Sequence, residues 1–342
     1  MIQDTLYSNN ETYTSITLRN NRGSKLTLTN YGASIISLEI PNKREELVNV
    51  VVGLDSVNDY KEVSYHPSAK FLGASIGRYA GRISNGDFSI SNKVYSLYHK
   101  DGVHLHGGSE GFDKKVWDVD FIDYGTNTVG FSYYSRHLEE GYPGNLEVKA
   151  IYQLSEDNDL KITYKAISDL DTVVNLTNHA YFNLNGSGSI LDHILLLDCF
   201  KYLEVNPKQL PTGKEKSVTA TKYDFLKPKS LQCLADFGLI DDTLIYSSKK
   251  GNSINGKKAR LIAPNTGISM EIDTNQPAVV IYTPENLPKW NFKNQSVYNR
   301  FPAICFENQN YPDAPNHSHF PSSLIKAGET YESKSVFKFL VI

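Results

Sequence analysis

The chain reads as an all-β protein built of antiparallel strands, and two features carry that reading. Apolar and polar residues alternate with a period of two in run after run, as in Ser15-Ile16-Thr17-Leu18, Lys25-Leu26-Thr27-Leu28, Leu146 to Tyr152 and Leu160 to Tyr164. Successive side chains of a strand point to opposite faces, so each such run predicts a strand with one packed and one wetter face. Short polar turns separate the runs: Asn20-Asn21-Arg22-Gly23, Ser91-Asn92, Glu156-Asp157-Asn158-Asp159 and Gly186-Ser187-Gly188. Strands joined by such turns stack into antiparallel sandwiches, whereas βαβ units need a helix between strands. Helix signals are few and short, and Leu231 to Phe237 is the one candidate segment.

Length and composition fit this class. A chain of 342 residues exceeds the common domain size, but large β-sandwiches reach it as one unit, and no repeat or Pro/Gly/Ser-rich linker divides residues 1–342. With 40% hydrophobic residues, 22 Tyr and 15 Phe, there is ample material for a core. A net charge of −3 with interspersed signs argues against a nucleic-acid surface. The sequence lacks an apolar run of the ~18 residues a membrane helix needs. Met1-Ile2-Gln3-Asp4 does not begin a secretory signal, which predicts a cytoplasmic protein. Cys199, Cys233 and Cys305 are odd in number and lack metal-site spacing, so they are expected to be reduced structural thiols.

Three remote segments carry groups suited to proton transfer. In the first, Leu105-His106-Gly107-Gly108, the preceding Gly102-Val103-His104 predicts a strand with His104 and His106 on one face, ending at glycines that admit a close approach. The second, Asn178-His179-Ala180-Tyr181-Phe182-Asn183-Leu184, follows the mostly apolar run Thr172 to Leu176 and predicts a polar cluster at a strand end. The third, Pro302 to Gln309, reads as a buried strand bearing the single carboxylate Glu307. A buried carboxylate costs several kcal/mol unless paired or hydrogen-bonded, so it needs a partner. His and Glu are the side chains most used for acid–base work near neutral pH. Each segment also has a purely structural reading: a satisfied strand-end histidine, a network fixing strand register, and an ion pair with an arginine.

Weaker signals surround these. Gly77-Arg78-Tyr79-Ala80-Gly81-Arg82-Ile83 offers two arginines four residues apart, and Asp241 stands in Gly238-Leu239-Ile240-Asp241-Asp242. Arginine presents fixed donors to oxygen ligands, but arginines at turns and acidic helix caps are common. His104-x-His106-x3-Glu110 matches half of a cupin metal motif. Tyr98 and Trp117 stand where that motif requires glycines.

Taken together, the segments resemble the galactose mutarotase, or aldose 1-epimerase, family across nearly the whole chain and in the family's order. The match also takes in Gly111-Phe112-Asp113-Lys114-Lys115-Val116-Trp117, Glu140-Gly141-Tyr142-Pro143-Gly144 and Gln276 to Thr283. The resemblance implies a large antiparallel β-supersandwich with a sugar cleft on one sheet. It also implies Glu307 as general base, His179 as general acid and His106 assisting. Arg82, Asp241 and Tyr181 would bind hydroxyls or line the cleft, and Tyr282 would add an apolar face. No cofactor or metal is expected, and the partner is a small-molecule sugar rather than nucleic acid or membrane. The chain departs from the pattern at Gly81, often Asn, at Asp242, usually His, and at Val280, a sugar-binding Gln in some members. Alternative expectations are a non-catalytic carbohydrate-binding sandwich, a relative acting on phosphorylated hexoses, and the metal-dependent cupin-type enzyme.

Overall fold

The structure, a computed structural model, describes residues 2–8, 11–66, 71–247 and 257–342. Two large sheets dominate it. The first has nine strands: Asp118–Asp123, Thr128–Ser135, Leu146–Leu154, Asp159–Ser168, Thr330–Val341, Ile268–Thr274, Ala259–Ala263, Ile194–Leu197 and Lys229–Ser230, in spatial order. The second has six: Tyr181–Phe182, Ile304–Gln309, Ala278–Tyr282, Asp241–Tyr246, Cys199–Val205 and Pro211–Ser217. A five-stranded meander runs from Ile2–Ser8 to Leu47–Asn49. Each of these strand pairings is antiparallel, the class the alternation predicts.

The hairpin Leu146–Leu154 with Asp159–Ser168 illustrates why. Leu146, Val148, Ala150, Tyr152 and Leu154 are buried on one strand, and Leu160, Ile162, Tyr164 and Ala166 on the other. Ser155 to Asn158 closes the turn, with Asn158 at φ 64°, a left-handed conformation that Asn tolerates. The long Thr330–Val341 strand fills the centre of the sheet, paired with Asp159–Ser168 on one side and Ile268–Thr274 on the other.

Period two also sorts the six-stranded sheet. Ile304 and Phe306, with Val279, Ile281 and Leu244, join the core shared with the nine-stranded sheet. Phe182 ties the two layers, 5.2 Å from Phe337 and 6.3 Å from Phe306 between ring centres. Cys305, Glu307 and Gln309 therefore fall on the opposite face, together with their cross-strand partners Tyr282, Val280 and Ala278. That second face carries the functional groups.

The expected helix at Leu231 to Phe237 is a 3₁₀ turn, Leu231–Cys233, running into a single α-turn, Leu234–Phe237. A second helix, Val57–Ser64, was not anticipated. Its signal was present as Ser56-x-x-Asp59: Ser56 Oγ accepts from Asp59 N at 3.3 Å and Asp59 Oδ2 accepts from Ser56 N at 3.2 Å, a capping box. The apolar run from Thr172 to Leu176 is strand only over Thr172–Val173; beyond it the backbone changes partner, Asn175 N donating to Arg78 O at 3.0 Å, while the Asn175 side chain donates to the carbonyls of Ala80 and Asn310. All three cysteines are free thiols.

Candidate active site

Each of the three remote segments is delivered by strand pairing. Glu307 lies in Ile304–Gln309. Tyr181 pairs with Cys305, which brings the segment after His179 onto the same sheet. The histidine itself is pinned by backbone bonds, His179 N to Ala74 O at 2.9 Å and Gly73 N to His179 O at 3.0 Å. His106 follows Val103–Leu105, whose partner is Arg82–Ser84, so Arg82 arrives beside it. Asp241 opens the strand paired with Ala278–Tyr282.

The outcome is a compact polar cluster. His179 Nε2 lies 3.5 Å from Glu307 Oε1, both side chains almost fully buried. The His106 and His179 rings meet edge to face at 5.5 Å. Arg82 Nη2 reaches Asp241 Oδ2 at 3.2 Å, at the more open edge of the cluster. The arginine partner that a structural reading would have given Glu307 is thus engaged with Asp241. Glu307 Oε2 and Gln309 Oε1, both buried, have no hydrogen-bond partner among the described residues. Leaving a buried polar atom unmade is costly, and at a site it marks a position for an incoming ligand.

The electrostatics push the Glu307 carboxyl and the His106 imidazole in opposite directions. Burial, reinforced by Asp241 and opposed by Arg82, pushes the Glu307 carboxyl up to about 8. Burial, with His179 and Arg82 adding to it, pushes His106 well below its ordinary value, so that ring is neutral. Its tautomer is fixed as well. Gly81 N donates to His106 Nδ1 at 3.2 Å, and His106 N donates back to Gly81 O at 3.0 Å. With Nδ1 accepting, the ring proton sits on Nε2, and His106 is a fixed hydrogen-bond donor.

Donor atoms of His106, His179 and Glu307 all lie within 4.8 Å of one another, a span that suggests a metal set. The His106 surroundings do not fit one. A ligating imidazole presents a lone pair and donates its other N–H to an acceptor. Here the Gly81 amide offers a hydrogen where that acceptor would have to be. The cupin-like reading fails on geometry too. His104 is consumed by Tyr98 O at 2.6 Å and Tyr142 Oη at 2.5 Å, while Glu110 accepts from Tyr65 Oη at 3.1 Å. His106 leaves the strand face predicted for it because it adopts φ 49° at the strand end.

Several predicted residues divide on inspection. Arg82 joins the cluster, but Arg78 does not: it is 2% exposed and donates to the carbonyls of Ser135, Arg136 and Pro143. Tyr181 stacks on His179 at 5.0 Å and 14°, and Tyr282 meets His179 edge-on at 6.2 Å. Two further side chains were not singled out from the sequence. Phe71 packs against both imidazoles, 4.9 Å from His106 and 5.8 Å from His179. No local pattern marks it. Gln309 shares the Glu307 face, which alternation alone would have indicated.

Fold and side chains together define a β-sandwich protein carrying the groups of a general acid–base site. The chain belongs to the aldose 1-epimerase family, whose model matches residues 14–338, and is an isomerase of that class. It is 36% identical to galactose mutarotase from Homo sapiens over 324 residues, covering 93% of this chain and 91% of that one. It is 33% identical to aldose 1-epimerase from Escherichia coli K12 over 343 residues, covering 96% and 95%. Among solved structures it resembles the GalM/aldose epimerase homologue from C. elegans with a TM-score of 0.88 and 28% identity over 96% of this chain and 99% of that one. The galactose 1-epimerase from Lactobacillus acidophilus NCFM matches with a TM-score of 0.84 and 27% identity over 99% of both.

Proposed function

We propose that the protein interconverts the α and β anomers of a free aldohexose such as galactose or glucose, using Glu307, His179 and His106 as its proton-transfer set. Ring opening requires loss of a proton from the C1 hydroxyl and delivery of one to the ring oxygen. Ionised Glu307 takes the first proton and protonated His179 supplies the second. Rotation about the C1–C2 bond of the open aldehyde, followed by the reverse transfers, closes the ring with either face presented. Atoms balance without a redox partner. His106, held neutral with its proton on Nε2, donates a hydrogen bond to a sugar oxygen and steadies it during transfer. Arg82 and Asp241 hold hydroxyls, and Tyr181 backs His179 within the cleft wall.

The observation that carries this reading is the pairing of His179 and Glu307 at 3.5 Å in a buried setting. Burial disfavours charge on Glu307 unless a neighbour takes up the proton, and His179 is placed to hold it. Each positioned proton transfer typically contributes ~10²–10⁴-fold.

Freshly dissolved α-D-galactose followed by polarimetry tests the proposal, with EDTA present. The expected result is a faster approach to the same final rotation. An unchanged rate with galactose and with glucose, from folded protein that binds either sugar, would instead support a carbohydrate-binding protein.

A further inference from the structure

The Glu140-Gly141-Tyr142 segment lies outside the proton-transfer set, yet it grips the His106 segment at two points. The Glu140 carboxylate accepts from the amides that follow the histidine turn, Ser109 N at 3.0 Å on Oε2 and Glu110 N at 2.8 Å on Oε1. Before the turn, Tyr142 Oη meets His104 Nε2 at 2.5 Å, and the other His104 nitrogen is tied to Tyr98 O. Between these grips the chain has no slack. A Cβ at Gly108 would fall 2.0 Å from Glu140 Oε2, and one at Gly107 would fall 1.7 Å from the Gly77 carbonyl oxygen.

The gripping segment is itself anchored. Leu138 and Glu140 both have positive φ, 63° and 50°, a backbone shape that needs support from its surroundings. Glu139 provides it through Tyr133 Oη at 2.6 Å, Ser135 Oγ and Lys115 Nζ at 3.4 Å. Arg78 adds its bonds to the carbonyls of Ser135, Arg136 and Pro143 on either side. Arg78 stands three residues before Gly81, whose amide fixes the His106 ring. The contacts thus close a ring, from Arg78 through the Glu139 turn to Glu140, on to His106, and back through Gly81.

We infer that Glu140 and Tyr142 are positioning residues for His106: together they hold its backbone so that Gly81 N–H reaches Nδ1 and Nε2–H faces the substrate. A charged carboxylate spanning two successive amides fixes direction more firmly than a single neutral bond. Sub-ångström placement of a group at the reacting atoms is worth large factors in rate.

The inference rests on the reading of His106 as a donor in anomer interconversion, and a double-mutant cycle tests it. Glu140→Gln retains the side-chain shape but replaces one acceptor oxygen by a donor. In the otherwise native protein we expect kcat for α-D-galactose to fall roughly tenfold or more. In a His106→Ala background the same change should alter kcat by less than about twofold, because the group it positions is gone. Tyr142→Phe should show the same coupling, with a melting temperature and circular dichroism showing that each variant is folded. Equal factors in both backgrounds, or native kcat in folded Glu140→Gln and Tyr142→Phe, would overturn the inference. If either variant fails to fold, the cycle is read on the other; if both do, the segment holds the fold and the inference is withdrawn. A native protein that does not accelerate mutarotation would defeat the functional reading instead, so the two failures are distinguishable.

Discussion

At the residue scale, environment rather than residue type separates the roles. Two arginines four positions apart look alike in the sequence, but the strand Arg82–Ser84 carries one to the site while Arg78 is locked among carbonyls. No local pattern could have told them apart, because the partners of Arg78 lie some 60 positions away. Glu307 was legible as a costly buried carboxylate, while its pairing with His179 came only from the family resemblance, since no local pattern joins the two segments. Because burial and Asp241 raise its carboxyl to about 8, the ionised base is scarce in acid. Loss of the Glu307 charge should therefore set an acid limb of kcat/KM well above the usual carboxylate range, and loss of the His179 proton should lower activity on the alkaline side. A profile whose acid limb falls at about 4–5 would contradict the environment described for Glu307. His106, already neutral, should add no step to that limb. Arg82→Ala should raise KM by about 10- to 100-fold with a smaller change in kcat, since it removes a charged hydrogen-bond partner of ground and transition state alike.

Elements place these residues, and here alternation was the best guide and turn geometry the poorest. The segment Pro302 to Gln309 was read only as a buried strand with one carboxylate, and period two within it sets Glu307 and Gln309, with Val280 across the ladder, on the face opposite Phe306. Period two failed for His106, because a residue at φ 49° has left the strand and no longer obeys strand periodicity. The glycines after it were read as sites of close approach by ligand or backbone, and at Gly107, with φ 88°, it is the Gly77 carbonyl that approaches. Gly107→Ala should accordingly displace the histidine turn, lowering kcat and costing on the order of 1–3 kcal/mol in stability, measurable by denaturant unfolding. An unaltered midpoint and rate would show that the close approach is dispensable. The Val57–Ser64 helix was missed for a different reason: its apolar periodicity is slight, with only Val57 and Tyr60 buried, and the capping box was its one clear mark.

At the scale of the whole molecule, sheet content and antiparallel order were visible from the sequence, whereas the pairing of distant strands was not. Nothing local joins Thr330–Val341 to Ile268–Thr274, or Tyr181 to Cys305; the shared core decides both. Phe182 stands where that core links the two sheets, and Phe182→Ala should cost about 3–5 kcal/mol, read from the unfolding midpoint. Because Tyr181–Phe182 also carries the His179 segment onto the sheet, activity should fall before the fold is lost. Asp113, whose buried carboxyl is raised to about 7 by that burial, gives the fold a pH signature. Its unfolded form ionises near 4, so the native state loses stability as pH rises from there through about 7. Asp113→Asn should remove that slope, leaving stability little changed in acid and higher than native in mild alkali. We propose that folding brings the three remote segments together into one proton-transfer site. The most direct test is polarimetry on α-D-galactose, in EDTA, comparing the native protein with Glu307→Gln at equal folded concentration. Accelerated mutarotation in the native protein, lost by at least ~10²-fold in the variant at unchanged melting temperature, is the predicted result; near-native turnover by Glu307→Gln would contradict it.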